Sequence, residues 1–444
     1  MRLNTTMKTA LTIASFAIVG LSLTPSSLPS PFKIDAVSAE NAAPVVLNEQ
    51  LLQQAASTNP TISQSAIATL RSQGYAGIEA FWQKYQTEFP HNPQLRSVLD
   101  AICKQKDCDM SRLYWYTDLE AAKAAAKASG KPILSLRLLG YLDEELSCAN
   151  SRFFRTALYP NSEVSAVLRD RFILHWQSER PVPKLTIDFG DGRKLERTLT
   201  GNSIHYVLNA NGDPIDAIPG LYSAQAFLEN LIAVEQIAKQ SEDLSVRGQQ
   251  QLIGNYHRDR LATLQTKWNK DLNSLGLPIQ PLIRSTTPVT RTNPPSAEVA
   301  GRIPVGKMMV ELPVLQRTTI TTPTTKEPTP NIKLSEANWE RLSRLYLGSS
   351  SLDANSLKVV ERKISSQQSL PATVANFERA IAQDTVRNEY LFHAQIHDWF
   401  ANGTSTRNLQ ALNQRVYAEL FLTPASDPWL GLVPTNVYTG ISSK

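Results

Sequence analysis

YTDLEAAKAAAKASGKPILSLRLL, residues 116–139, is the stretch on which the reading of this chain turns. Thr117 and Glu120 stand in capping-box register, so their side chains would serve each other's backbone N–H groups at a helix start. An alanine-rich run follows, and Gly130 and Pro132 stop it. The next residues, PILSLRLL, are apolar on both sides of any pleat, the pattern of a strand buried on both faces. A helix that hands over to such a strand within a few residues predicts a layered α/β unit.

Working outward keeps the alternation. ELSCANSRFF (145–154) holds one cysteine, Cys148, at the start of a helix-like segment. NSEVSAVLRDR (161–171) reads as a helix and FILHWQ (172–177) as a strand. KLTIDFGDGRKLERTLT (184–200) has two strand-like runs around a Gly-Asp-Gly turn, and IHYVLNANGDPIDAIPG (204–220) is a second hairpin. SAQAFLENLIAVEQIAKQ (223–240) closes the unit as a helix, with Phe227, Leu228, Leu231, Ile232 and Val234 on its apolar side.

The flanks have a different texture. Residues 40–112 carry short helix-periodic stretches broken by Asn-Pro and Gly, so a helical N-terminal segment precedes the α/β unit at 113–240. A helical extension and Thr/Pro-rich linker occupy 241–332, where the apolar island RIPVGKMMVELPVL interrupts the threonines and prolines. From 333 to 444 a separate, mainly α C-terminal domain is expected, with Trp339, Leu342 and Tyr346 on one helix face, and Trp429 anchors an extended tail.

The 444 residues are 42% hydrophobic and 19% charged, which is ordinary for a folded protein and excludes disorder throughout. The net charge of +5 is spread over 45 basic and 40 acidic side chains without a block of one sign, so no nucleic-acid partner is implied. MRLNTTMK leads into the 15-residue apolar run TALTIASFAIVGLSL, and Val37-Ser38-Ala39 offers small residues before a cut, which reads as a secretory signal over 1–39. The run is shorter than the ~20 residues of a spanning helix, so the expectation is an exported protein, periplasmic or secreted, with no integral span after cleavage.

Export bears on the three cysteines. Cys103 and Cys108, separated by KQKD, have a spacing that permits a small loop-closing disulfide and equally suits two unpaired thiols. If they pair, Cys148 is left over.

Taken in order, Lys131-Pro132, PILSL, Cys148-Ala149-Asn150-Ser151, LYPNSEVSAVLRDRFI and IHYVLNANGDPIDAIPG resemble the thioredoxin-like superfamily, in particular its exported members, over residues 113–240. The resemblance implies a thiol motif at a helix start, here Cys-x-x-Ser because Ser151 stands at the second cysteine position. Backbone N–H groups and the helix dipole there stabilise a thiolate, which makes Cys148 the implied nucleophile. Arg152 and Ser151 would form its environment and His205 its base. Without a second thiol the implied activity is monothiol redox exchange or capture of a client thiol. Three positions depart from the family pattern: Ser147 replaces the usual aromatic, Leu136 the buried carboxylate and Ser203 the cis-proline. The alternative is a non-catalytic interaction or scaffold protein in which Cys148 packs as a small apolar residue and another exported protein is the partner.

One further pattern stands in the C-terminal region. Glu389, His393 and His397 fall at i, i+4 and i+8, so a regular helix puts all three on one face, a spacing able to bind a divalent metal. The order differs from that of a zinc protease, and Phe392, Ile396 and Trp399 form an adjacent apolar stripe. No motif requires a resident organic cofactor.

Overall fold

The computed structural model describes residues 48–198, 202–283, 334–364, 369–403 and 407–426. The signal segment, the Thr/Pro-rich stretch with its apolar island, and Trp429 with its tail lie outside the described residues.

Helix Leu119–Ser129 forms where the alanines predict it, but its cap is Asp118 and not Thr117. Asp118 is the last extended residue, and its carboxylate accepts the Ala121 N–H at 2.9 Å. Gly130, at φ +66°, ends the helix in the left-handed conformation that glycine adopts without cost. The chain then enters strand β2 (Ile133–Leu139), every residue of which is buried.

β2 lies at the centre of a five-stranded mixed sheet. Its neighbours are β3 (Ile173–Arg180), parallel, and β6 (Ser203–Leu208), antiparallel. Beyond them β1 (Trp115–Tyr116) runs parallel to β3, and β7 (Pro214–Pro219) closes the β6 hairpin, giving the order β1-β3-β2-β6-β7. The Gly-Asp-Gly segment makes a separate hairpin of β4 (Lys184–Asp188) and β5 (Lys194–Thr198). Helices Ser162–Arg171 and Ala224–Ser241 complete the α/β unit.

β7 is an edge strand, yet all six of its residues are buried. An uncovered edge presents unpaired backbone groups, and here segment Asn388–His393 and helix Ala394–Ala401 pack on β7 while His257 of helix Val246–Ser274 meets the Ile215 carbonyl. The C-terminal helices, expected as a domain apart, therefore share a core with the sheet. Ile381, Phe392, Ile396, Trp399 and Val416 belong to the same buried cluster as Leu134, Leu136, Val207 and Ile218. A second cluster joins Trp268, Trp339 and Tyr390 across helices Val246–Ser274 and Glu336–Arg344 and the segment Asn388–His393.

The N-terminal helices, Glu49–Ala55 to Pro93–Cys103, bury their own cluster around Leu70, Ile78, Phe81 and Leu99. Cys103 and Cys108, both fully buried, form a disulfide with their Cα atoms 6.4 Å apart. No helix among the described residues is long and apolar enough to cross a membrane.

Candidate functional site

Cys148 caps a short helix, Ala149–Phe153, and its Sγ accepts the Ser151 N–H at 3.4 Å. The geometry is that of a helix N-terminus, but the helix is five residues long and passes directly into a π-helical segment, Phe154–Leu158. Cys148 is 0% exposed. Ser151 turns its hydroxyl to the Cys148 carbonyl at 2.8 Å and to the Ser147 hydroxyl, away from the thiol. Arg152 donates to Thr198 Oγ1 at 3.0 Å. Buried Arg155 donates to the Glu145 carbonyl at 3.2 Å and to Ser147 Oγ at 3.1 Å, and pairs with Asp107 at 3.5 Å.

His205 is paired across the sheet with Leu136, and its Nε2 lies 2.7 Å from the Tyr159 hydroxyl. The structure thus joins this histidine to a tyrosine and not to the thiol, while burial pulls its pKa down to about 3. Ser203 does face the thiol segment, accepting a hydrogen bond from Asn150 at 3.0 Å. The C-terminal segment bonds to the residues around Ser203 and the end of β3. Tyr417 donates to the Asn202 carbonyl at 3.2 Å, Asn202 donates to Thr423 Oγ1 at 2.9 Å, and Arg180 donates to the Thr423 carbonyl at 2.9 Å. Tyr417 and Phe421 share a hydrophobic cluster with Cys148.

A dense group of buried ionisable side chains lies elsewhere, where β7 meets helices Val246–Ser274 and Ala394–Ala401. Asp216 of β7, His257 of helix Val246–Ser274 and His397 of helix Ala394–Ala401 are each 0% exposed. One ligand-capable atom from each lies within 4.8 Å of the other two. His257 Nδ1 and His397 Nδ1 are 2.7 Å apart, and His397 Nδ1 is 4.0 Å from Asp216 Oδ1. His257 Nε2 is 2.9 Å from the Ile215 carbonyl, an acceptor only, so it carries the proton and Nδ1 keeps its lone pair in the neutral ring. Tyr256 donates to Asp216 Oδ2 at 2.9 Å, and Oδ1 accepts the Ala217 N–H at 2.7 Å on the side of the imidazoles.

His393 and Glu389 stand behind this trio. His393 Nε2 is 3.3 Å from Asp216 Oδ1 and its Nδ1 is 3.5 Å from Glu389 Oε2, while Asn230 donates to the same Glu389 oxygen at 3.4 Å. The His393 and His397 rings stack with centroids 4.0 Å apart. Burial alone would raise the pKa of Asp216, but the imidazoles of His393, His257 and His397 outweigh it and hold the carboxyl well below its usual range. Burial likewise opposes charge on His393, and the carboxylates of Asp216 and Glu389 overcome it, moving the ring up to about 9.

Of the three residues that helical spacing aligned, only His397 lies in the closest trio; His393 and Glu389 form a relay behind Asp216. The three still touch in succession along one face although Asn388–His393 is π-helical, and what displaces Glu389 from the trio is that Asp216 and His257 reach His397 from other elements. Asp216, His257 and Tyr256 were not singled out from sequence. For Asp216 a signal existed, a lone carboxylate within the apolar run PIDAIP, since unpaired buried charges are rare. For His257, amid the polar residues NYHRDR, none did.

A cavity of about 290 Å³ adjoins the cluster, lined by Asp213, Ile215, Gln249, Phe400 and Arg407 among others. The Phe400 ring stacks on His257 at 4.3 Å and separates the two spaces. No protein-family model, curated protein or solved structure matches the chain.

Proposed function

We propose that the chain is an exported, non-catalytic binding protein built on a thioredoxin-like unit whose thiol face is closed by its own C-terminal segment. Three features support the thioredoxin-like reading. The strand order has three parallel strands followed by an antiparallel hairpin, Cys148 caps a helix directly after β2, and Ser203 faces the residues that follow the thiol.

The observation that carries the non-catalytic reading is the complete burial of Cys148, in one hydrophobic cluster with Tyr417 and Phe421 of the C-terminal segment. Thiol exchange requires in-line approach of a second sulfur, so a thiol without access does not turn over. Cys148 is then a cap and a packed small side chain, in line with the frequent burial of free cysteine. A second reading, monothiol capture of a client, draws on the Ser151 N–H that points at the sulfur and requires the C-terminal segment to lift.

The rate at which a small aromatic disulfide reagent labels the native protein separates the two. Labelling of Cys148 only after denaturation, with Cys148→Ala leaving cellular function intact, is the expected result. Rapid stoichiometric labelling of the native chain overturns the non-catalytic reading and favours monothiol capture. Export has its own measurement: the mature protein from the native host should begin at Glu40.

A further inference from the structure

We infer that Asp216, His257 and His397 form a buried binding site for a first-row divalent metal ion, Zn²⁺ foremost, with His393 beside it able to complete the shell. The inference is independent of the proposal for Cys148, since none of its residues touches the thiol region's hydrogen bonds.

The donor set is the first argument. Neutral imidazole and carboxylate are ligands for zinc and its neighbours in the first row, and two or three histidines with one carboxylate are a recurrent zinc set. Spacing is the second. Tetrahedral bonds of 2.0–2.1 Å place neighbouring donor atoms about 3.3 Å apart. The observed separations, 2.7 Å between the two Nδ1 atoms and 4.0 Å from His397 Nδ1 to Asp216 Oδ1, bracket that value, so entry of an ion requires side-chain shifts only.

The third argument is the layer behind the ligands. A metal-binding histidine normally donates its other N–H to a carbonyl or carboxylate, which fixes the tautomer and turns the lone pair to the metal. His257 has this arrangement through the Ile215 carbonyl, and His393 has it through Glu389. Tyr256 does the same for Asp216 by donating to Oδ2, while Oδ1, which faces the imidazoles, also accepts the Ala217 N–H at 2.7 Å. Finally, the Nδ1 atoms of His257 and His397 meet nitrogen to nitrogen where neither residue has exposed surface, and an ion between them would take both lone pairs. His397 Nε2, the other nitrogen of that ring, is buried without a partner, so of these two imidazoles only His257 has its outer N–H anchored.

Sites closed to solvent on all sides are filled as the chain folds or through a neighbouring space. Phe400, which stacks on His257, also lines the cavity of about 290 Å³.

The test uses the full chain, stripped with chelator under denaturing conditions and refolded with and without Zn²⁺, followed by elemental analysis after gel filtration. One Zn²⁺ retained per folded chain is expected, together with a raised midpoint of thermal unfolding. His257→Gln and His397→Gln should each weaken retention by about 100-fold or more in a chelator competition, whereas His175→Gln, a buried histidine outside the cluster, should not. Should the two ligand variants fail to fold, Co²⁺ refolded into the wild-type chain gives the decision: visible d–d bands without a near-ultraviolet thiolate band support nitrogen and oxygen ligation. A folded wild-type chain that retains no metal overturns the inference. So does retention unchanged in both ligand variants, or a thiolate band.

Discussion

Asp216 and His393, 177 residues apart in the chain, meet with the imidazole Nε2 3.3 Å from the carboxylate Oδ1, and neither has any exposed surface. The contact ties the edge of the sheet to the C-terminal region with a charged pair in a dry environment. Removing one member of such a pair leaves the other buried without compensation, at a cost of about 3–5 kcal/mol. Asp216→Ala in metal-free protein should therefore shift the urea midpoint strongly downward. A change of about 0.5 kcal/mol or less, the size of a surface substitution, would remove the pair from any structural role.

Gly220 tests the same junction through the backbone. Its φ is +75°, and an added Cβ would lie 2.4 Å from Asn388 Nδ2, the atom that donates to the Leu221 carbonyl at 2.8 Å. Gly220→Ala combines left-handed strain of about 1–2 kcal/mol with a displaced Asn388. Denaturant unfolding should show a loss of at least that strain, while Gly276→Ala, also at positive φ but with open space around it, should show the strain alone. Equal losses in the two variants would mean that the close approach of Asn388 does not matter.

Acid should weaken the fold through His175. Its Nδ1 lies 2.8 Å from Ser135 Oγ, and burial, then the positive charge of Arg137, pull its pKa from 6.5 to about 3. Between those values the unfolded chain binds the proton and the folded chain does not, so stability rises with pH there and falls as pH drops from 6.5 toward 3. The effect is about 1.4 kcal/mol for each pH unit inside the window. Unfolding free energies of wild type and His175→Gln, measured from pH 7 to pH 5, should converge as pH falls. Parallel curves would show that His175 titrates alike in both states.

Much of the local architecture was legible in the sequence. The run from Thr117 to Leu139 yields a helix and then a strand because alanine content, a left-handed glycine and a continuous apolar stretch are all local properties. The hairpin of β6 and β7 and helix Ala224–Ser241 were visible for the same reason. Where local rules compete over one residue, as Thr117 and Asp118 do for the cap, the sequence is ambiguous by one position, and backbone geometry at Asp118 decides.

By itself, then, the sequence determined the alternation of helix and strand, the position of Cys148 at a helix start, and a histidine-bearing segment at 393–397. Only the tertiary structure decided that Cys148 is buried in one cluster with Tyr417, and that Asp216, His257 and His397 come together without exposed surface. The reason is physical. Periodicity records which face of an element is apolar, whereas the meeting of a strand carboxylate with imidazoles 41 and 181 residues further along depends on how their helices pack at a sheet edge, and this leaves no repeat in any one of them.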